Sequence, residues 1–337
     1  MGSAWWISQA KPRYCYQYDL TLEGPSDMNA AIDLDPLDQL KQRAVHFARN
    51  SSTEISPHDE GMLETLVGVL PAGTTIYVAH TPKAQMSDVI RVAVKVQSLG
   101  FRASPHCVAR RIPSEEMLRE GLKRARDAGI EQVLLVAGDL TPPAGPFTNT
   151  LEVLDTGAIT DAGITHIGVA GHPEGHPAVD TETLWKALAY KQAFAQRTGV
   201  KVHIVTQFSF NPAAVAEWDH QLQAHGITLP VHIGIAGPTP LAKLLKFAAM
   251  CGIGASLGSL WKNMGNMTKL ATGMAMAPDE MLLAVLANGA GIAPSRLVQP
   301  HYYAFGGMMA TAQWLRHVID GTLTLDPSGE KFTVNGR

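Results

Sequence analysis

The sequence predicts an α/β protein, a (β/α)8 or TIM barrel with an N-terminal extension. From Ser51 onward, short β-rich runs alternate with segments of helical period eight times, which is the pattern of a parallel barrel. The length of 337 residues lies within the size of one such barrel, and hydrophobic residues, at 46%, are enough to fill a large core. No GxGxxG motif follows the first strand, and this disfavours the alternative, an open doubly wound sheet.

The strands are predicted from short apolar, β-branched runs bounded by turn-forming residues, and the helices from apolar residues that recur at helical spacing. The predicted strands are Ser52–Ser56, Thr74–His80, Arg102–Val108, Gln132–Ala137, His166–Ala170, Lys201–Gln207, Pro230–Gly234 and Arg296–Tyr303. The predicted helices are Pro36–Arg49, Glu60–Val69, Lys83–Leu99, Ser114–Ala128, Thr181–Thr198, Pro212–His225, Pro240–Met250, Lys262–Met274, Pro278–Asn288 and Met308–Asp320.

Three segments organise the chain. We interpret residues 1–50 as the N-terminal extension, residues 51–322 as the catalytic barrel and residues 323–337 as a polar C-terminal tail that covers one end of the barrel. The sequence contains no recognisable interdomain linker and no internal repeat.

Composition narrows the classes of partner. The net charge of −3 argues against nucleic acid, because phosphate binding needs a basic face. No stretch reaches the roughly 18 apolar residues of a membrane span, and the N-terminus lacks the pattern of a signal peptide. Cys15, Cys107 and Cys251 are widely spaced, so neither a disulfide framework nor a zinc site is indicated, and we predict a cytoplasmic protein. A homo-oligomer is one option that the sequence leaves open.

Polar residues cluster at the carboxyl ends of the predicted strands, where a parallel barrel builds its active site. Glu54 lies in the first strand, Asp139 follows the fourth and Gln207 ends the sixth. Any one of them could instead be a helix cap, a turn former or half of a structural ion pair. The prediction of an active site therefore depends on polar residues occurring at the carboxyl ends of many strands at once.

Two local patterns carry weaker signals. His172 and His176 have metal-ligand spacing, but the prolines and glycine around them prevent a helix, so we predict no metal site. Gly306 and Gly307 precede a helix and could bind a phosphate, although they fit a plain loop equally well. The absence of a clear strand-end lysine disfavours a Schiff-base aldolase.

Four segments resemble a known family, the methylenetetrahydrofolate reductases. Gly168–Pro177 (GVAGHPEGHP) resembles the family's GVAGYPEGHP, and Ile204–Asn211 (IVTQFSFN) is similar to its ITQFFFD. Ser52–Pro57 (STEISP) looks like SFEFFPP, and Val136–Asp139 (VAGD) matches LRGD in part. These segments occur in the family's order and barrel positions over residues 51–237.

The resemblance implies a folate site. Glu54 matches the general acid that protonates a folate nitrogen as the methylene bridge opens to an iminium. Asp139 matches the carboxylate that holds the pterin and stabilises the cation, and Gln207 matches an amide that hydrogen-bonds the folate. A buried glutamic acid, a fixed carboxylate and an amide suit these three tasks. We add Phe208 and Tyr302 as substrate-binding residues, while Tyr302 also fits a core position.

The activity implied is that of an oxidoreductase that interconverts 5,10-methylenetetrahydrofolate and 5-methyltetrahydrofolate by hydride transfer with NAD(P)H, directly or through FAD. The alternative functions are a non-redox folate-binding barrel and a methyl-transfer barrel. The residues that match the family's cofactor contacts are His106, His172, His176 and Lys191.

Several family contacts to FAD are missing from this chain. Ala137 stands where the family has the arginine of LRGD, Gly306 and Gly307 stand where it has Asn-Arg, and His172 replaces a tyrosine. A dinucleotide pyrophosphate is usually held by arginine forks, helix N-termini or glycine-rich loops. These departures leave FAD binding open and favour direct transfer between NAD(P)H and the folate.

Overall fold

The structure is a computed structural model, and it describes residues 35–240, 243–244, 275–276 and 278–334. The predicted helix Lys262–Met274 and most of the predicted helix Pro240–Met250 lie outside these residues. Within the described part of the chain, no helix is long and apolar enough to cross a membrane.

Eight parallel strands close into a barrel. Each strand pairs with its neighbours in sequence, and β1 pairs with β8 to complete the ring. The predicted TIM barrel is thus confirmed, with every predicted strand end within two residues of the observed one. The strands are β1 (Ser52–Ile55), β2 (Thr75–Val78), β3 (Arg102–Val108), β4 (Gln132–Val136), β5 (His166–Gly171), β6 (Lys201–Thr206), β7 (Val231–Ala236) and β8 (Leu297–Tyr303).

Helices surround the barrel, and most lie where the sequence predicts them. The longest of the described helices, Thr181–Thr198, has the predicted bounds because Asp180 caps its first turn and Gly199, in a left-handed conformation (φ 74°), ends it. The described helices are α1 (Pro36–Arg49), α2 (Leu63–Leu66), α3 (Met86–Ser98), α4 (Glu115–Asp127), α5 (Thr150–Asp155), α6 (Ala158–Asp161), α7 (Thr181–Thr198), α8 (Pro212–Ala224), α9 (Asp279–Ala287) and α10 (Met308–Ile319).

Three local features differ from the predictions. The predicted helix Glu60–Val69 is a 3-10 turn, Pro57–Met62, that continues into the single turn of α2. The short helices α5 and α6 were not predicted, because one to two turns are too few to show a helical period. The tail contains an antiparallel hairpin, β9 (Leu323–Leu325) and β10 (Phe332–Val334).

The apolar core lies between the outer face of the barrel and the helices. α1 contributes Ala44, Phe47 and Ala48 to it, and the tail contributes Phe332, which stacks on Trp314 at 5.7 Å between ring centroids. Both ends of the chain's described part are therefore packed into the same core as the barrel. The boundaries at residues 50 and 322 stay a prediction.

The inside of the barrel is unusually polar. Tyr77 Oη lies 2.9 Å from His203 Nε2 and accepts a hydrogen bond of 3.1 Å from Gln132 Nε2. His232 stacks on His203 with ring centroids 4.2 Å apart, and its Nδ1 lies 3.4 Å from Gln299 Nε2. Burial lowers the pKa of His203 to about 3, so its ring is neutral and pairs with the tyrosine without a buried charge.

An irregularity in β8 decides which of its aromatic residues faces inward. The pairing register with β7 shifts between Leu297, which lies in the outer core, and Gln299, which faces the inner histidines. Such a bulge reverses the inside-outside alternation. Tyr303 therefore faces the interior, whereas Tyr302, predicted to bind substrate, is buried on the outer face against Trp314 with ring centroids 5.4 Å apart.

Candidate functional site

Glu54 is the central titratable group at the carboxyl-terminal mouth of the barrel. It is the penultimate residue of β1, its register partner on β2 is Tyr77, and its side chain is 18% exposed. Burial raises the pKa of the Glu54 carboxyl to about 8. The carboxyl is thus protonated at neutral pH and can act as a proton donor.

The neighbour of Glu54 on β8 is His301. Its Nε2 lies 4.0 Å from Glu54 Oε2, and its Nδ1 lies 2.9 Å from Ser52 Oγ. Burial lowers the pKa of His301 to about 3, so the Glu54–His301 contact joins two neutral groups rather than an ion pair. The sequence prediction did not assign a role to Ser52 or His301.

Aromatic side chains form one wall of the mouth. Phe208, predicted to bind substrate, is buried and packs against Tyr303 and Phe305, with ring centroids 5.6 and 4.9 Å away. Tyr303 Oη donates a hydrogen bond of 2.8 Å to Thr206 O. The Tyr303 ring fits here because residue 234 is a glycine. A Cβ on residue 234 would lie 2.8 Å from Tyr303 Cε2. A flat ligand such as a pterin could pack on this wall.

Gln207 lies beside this wall, immediately after β6. Its backbone N–H donates to Gly171 O at 2.8 Å, and its Oε1 accepts from the Phe208 N–H at 3.2 Å. The described residues provide no partner for its Nε2. The amide is therefore oriented by its own loop and has two donors available for a ligand.

Asp139 is on the loop after β4, where its side chain is 87% exposed and 3.3 Å from Arg111 Nη2. Arg110 holds the same loop by donating from Nε to Thr148 O at 2.8 Å. No contact within the described part of the chain joins Asp139 to Glu54. The structure thus places the two predicted catalytic carboxyls at the same end of the barrel without bringing them together.

A second cluster lies after β5. The rings of His172 and His176 are 4.9 Å apart between centroids, and Lys191 of α7 is buried, with 6% exposure. Burial lowers the pKa of Lys191 to about 8. The pKa of His172 is lowered to about 4, mainly by burial and to a smaller extent by the nearby charges of His176 and Lys191. No described carboxylate lies within 4.0 Å of Lys191, so this cluster is a candidate anion site.

His106 lies apart from this cluster. It is on β3, with its ring edge-on to Tyr77 at 6.3 Å, and its Nε2 is buried without a hydrogen-bond partner among the described residues. Burial lowers the pKa of His106 to about 3. No group of three or more metal-ligating side chains occurs in the described ranges.

Comparisons with known proteins point to one family. The family model "Methylenetetrahydrofolate reductase" matches residues 66–257, a range that includes Asp139, His172, Lys191 and Gln207 but not Glu54. "Methylenetetrahydrofolate reductase 2" of Saccharomyces cerevisiae is 26% identical over 169 residues, which cover 48% of this chain and 27% of that protein. The match thus spans about a quarter of the length of this curated relative.

Two solved structures are also similar to the chain. A dihydropteroate synthase from Thermus thermophilus has a TM-score of 0.43 and 13% identity, covering 80% of this chain and 92% of that one. An oxaloacetate acetylhydrolase in complex with oxalate has a TM-score of 0.42 and 10% identity, covering 82% and 83%. TM-scores this low support no argument about this chain, and the barrel is established by its strand pairing alone. The family model, by contrast, matches more than half of the residues, and the chain belongs to the methylenetetrahydrofolate reductase family.

Proposed function

We propose that this protein is an oxidoreductase that interconverts 5,10-methylenetetrahydrofolate and 5-methyltetrahydrofolate, with NAD(P)H or NAD(P)+ as the hydride partner. The observation that carries the proposal is the Glu54 carboxyl, which burial keeps protonated at the mouth of the barrel. Opening the methylene bridge needs a proton donor of this kind, because a ring nitrogen must leave the bridging carbon.

The proposed step balances in the reductive direction. Glu54 gives its proton to the folate nitrogen whose bond to the bridging carbon breaks, and the remaining iminium carbon accepts hydride from NAD(P)H. The products are 5-methyltetrahydrofolate and NAD(P)+, and Glu54 regains its proton from solvent. Gln207 hydrogen-bonds the pterin, and Phe208 supports it from the aromatic wall.

Asp139 is our proposal for the carboxylate that faces the cationic intermediate. Arg111 contacts it at 3.3 Å and also donates to Pro82 O, which ties the loop after β4 to the segment after β2. The Asp139 carboxylate is held by Arg111 yet exposed at the mouth of the barrel, so a bound pterin can approach it. A fixed carboxylate close to a developing cation lowers the barrier to formation of that cation.

Among the described residues, the cations near the site do not fit a tightly bound FAD. Arg110 donates to backbone carbonyls of the loop after β4, and Arg111 donates to Asp139 and to Pro82 O, so both guanidinium groups are already engaged. In the cluster of His172, His176 and Lys191, the buried cation among the described residues is Lys191. One cation suits a dinucleotide that must leave after each turnover better than a resident one. We therefore propose direct hydride transfer between NAD(P)H and the folate.

The experiment that tests the function is a coupled measurement on the purified protein. NADH or NADPH is supplied with 5,10-methylenetetrahydrofolate, and 5-methyltetrahydrofolate is separated and quantified against the nicotinamide oxidised. We expect equal amounts of the two products. Folate binding without any nicotinamide oxidation would instead favour a non-redox folate-binding barrel.

Flavin dependence is predicted to be absent. The protein is expected to purify colourless and to turn over without FAD, because Arg110 and Arg111 are already engaged and leave the pyrophosphate without an arginine fork from them. The measurement is reconstitution with excess FAD, removal of unbound flavin and assay of both samples. Stoichiometric flavin retention, with activity that depends on it, would contradict direct transfer.

Gln207→Ala is predicted to weaken 5-methyltetrahydrofolate binding about tenfold. Loss of a hydrogen-bonding partner in a buried site costs about 1–3 kcal/mol. Calorimetry measures the affinity, and Gln221→Ala, which removes an exposed amide bonded to Glu217 on α8, is the matched control. Unchanged affinity in Gln207→Ala would place the folate elsewhere.

A further inference from the structure

The proposed acid step leaves a carboxylate in a poorly solvated place. When Glu54 gives up its proton, its charge lies in a region whose burial penalises that charge. The described residues offer the Glu54 carboxyl no hydrogen bond, and its sole ion-pair-range neighbour is His301 Nε2 at 4.0 Å. Something at this position must stabilise the carboxylate if the acid is to donate efficiently.

The hydrogen bond on the other side of the His301 ring determines its tautomer. Ser52 Oγ is fully buried and lies 2.9 Å from His301 Nδ1, and no other described group is placed to accept the Ser52 proton. The hydroxyl is satisfied when it donates to Nδ1, which puts the ring proton on Nε2. The Nε2–H then points toward Glu54.

We propose that His301, held by Ser52 in the tautomer with its proton on Nε2, is a positioning residue that donates a hydrogen bond to the Glu54 carboxylate once Glu54 has protonated the substrate. The inference rests on the proposed function for its place in the reaction. His301 keeps its own proton throughout, and a movement of about 1 Å brings the 4.0 Å contact to hydrogen-bond length.

The groups that face His301 are neutral, so His301 itself is the group that can donate a hydrogen bond to the Glu54 carboxylate. The ring lies edge-on to Tyr77 of β2 and Tyr303 of β8, with centroids 4.8 and 4.7 Å away. The titratable neighbours from the other strands, His106 and His203, act with burial to lower the pKa of His301 to about 3, and burial keeps both of them neutral. The ring is thus a neutral donor held on two sides, and no cation from the described part of the chain acts on Glu54.

The test is a titration of the Glu54 carboxyl by NMR in substrate-free protein labelled with 13C at the glutamate carboxyl carbon, with the signal assigned by its loss in Glu54→Gln. In His301→Leu the midpoint should rise by about one pH unit or more, the effect of losing a hydrogen bond to a charged group. In Ser52→Ala it should rise by less. His301→Gln, which keeps an N–H donor, should restore a midpoint close to that of the wild type.

The matched control is His232→Gln, a change of an equally buried inner histidine that does not contact Glu54. An unchanged midpoint in His301→Leu, or an equal rise in His232→Gln, would overturn the inference. If His301→Leu does not fold, Ser52→Ala decides, since its midpoint must still rise. Because the titration needs no folate, a protein that lacks reductase activity would refute the proposed function without altering this result.

Discussion

Glu54→Gln is expected to lower the turnover of 5,10-methylenetetrahydrofolate reduction by about 10²-fold or more, the usual contribution of general acid catalysis. The amide fills nearly the same volume but has no acidic proton. Folate affinity should change little, because Gln207 and Phe208 remain in place. The measurement is kcat under saturating NAD(P)H, together with folate affinity by calorimetry. A near-normal kcat would remove Glu54 from the mechanism.

The stability of the same variant provides its control. The pKa of Glu54 is raised from 4.5 to about 8 in the folded protein. The folded state therefore keeps a proton that the unfolded state loses, and the stability that Glu54 contributes below pH 4.5 is lost as the pH rises toward 8. Glu54→Gln does not titrate, so its stability relative to the wild type should increase over this range, by up to about 1.4 kcal/mol per pH unit.

Denaturant unfolding at pH 5 and pH 8 measures this change. The matched variant is Glu64→Gln on α2, whose carboxylate is 57% exposed and pairs with Lys95. It should show neither the loss of turnover nor the gain in stability at pH 8. A Glu54→Gln protein that is less stable than the wild type at pH 8 would mean that its inactivity reflects damage to the fold.

The barrel was predictable because its signals are local. Thr181–Thr198 has an acidic cap before it and a glycine after it, and these residues fix its ends whatever surrounds the helix. Arg102–Val108 likewise follows a turn at Gly100, which has a positive φ of 85°. The hairpin formed by Leu323–Leu325 and Phe332–Val334 was missed because it depends on Phe332 packing against Trp314, a contact distant in sequence.

The orientation of side chains at the site was less predictable. Simple alternation from the outward-facing Leu297 would turn Tyr302 into the barrel, and only the register shift before Gln299 gives that position to Tyr303. Similarly, Asp139 pairs with Arg111, a residue that follows the end of another strand. Such contacts arise when distant segments meet, so the sequence can identify the strand end but not the direction of the side chain.

The buried Lys191 of α7 leads to a prediction about both the stability of the protein and its affinity for NAD(P)H. Lys191 is 6% exposed and has no carboxylate within 4.0 Å among the described residues. A buried charge without a partner destabilises the fold. Its retention there is explained if Lys191 binds a phosphate of NAD(P)H.

Lys191→Met is therefore expected to make the protein more stable and to weaken NAD(P)H binding by about tenfold or more, the effect of losing a charge-assisted hydrogen bond. Because the pKa of Lys191 falls from 10.5 to about 8 on folding, the unfolded state binds the extra proton above pH 8. Wild-type stability then recovers as the pH rises through this range, so the advantage of the methionine should be largest at or below pH 8 and shrink toward pH 10.5.

The matched control is Lys186→Met on the same helix, where the side chain is 74% exposed and pairs with Glu182. An exposed pair of this kind contributes little, so neither stability nor NAD(P)H affinity should change appreciably. Affinity is measured by nicotinamide fluorescence titration, and stability by denaturant unfolding. If Lys191→Met binds NAD(P)H as tightly as the wild type does, the dinucleotide phosphates lie elsewhere, and the cluster of Lys191, His172 and His176 has no part in cofactor binding.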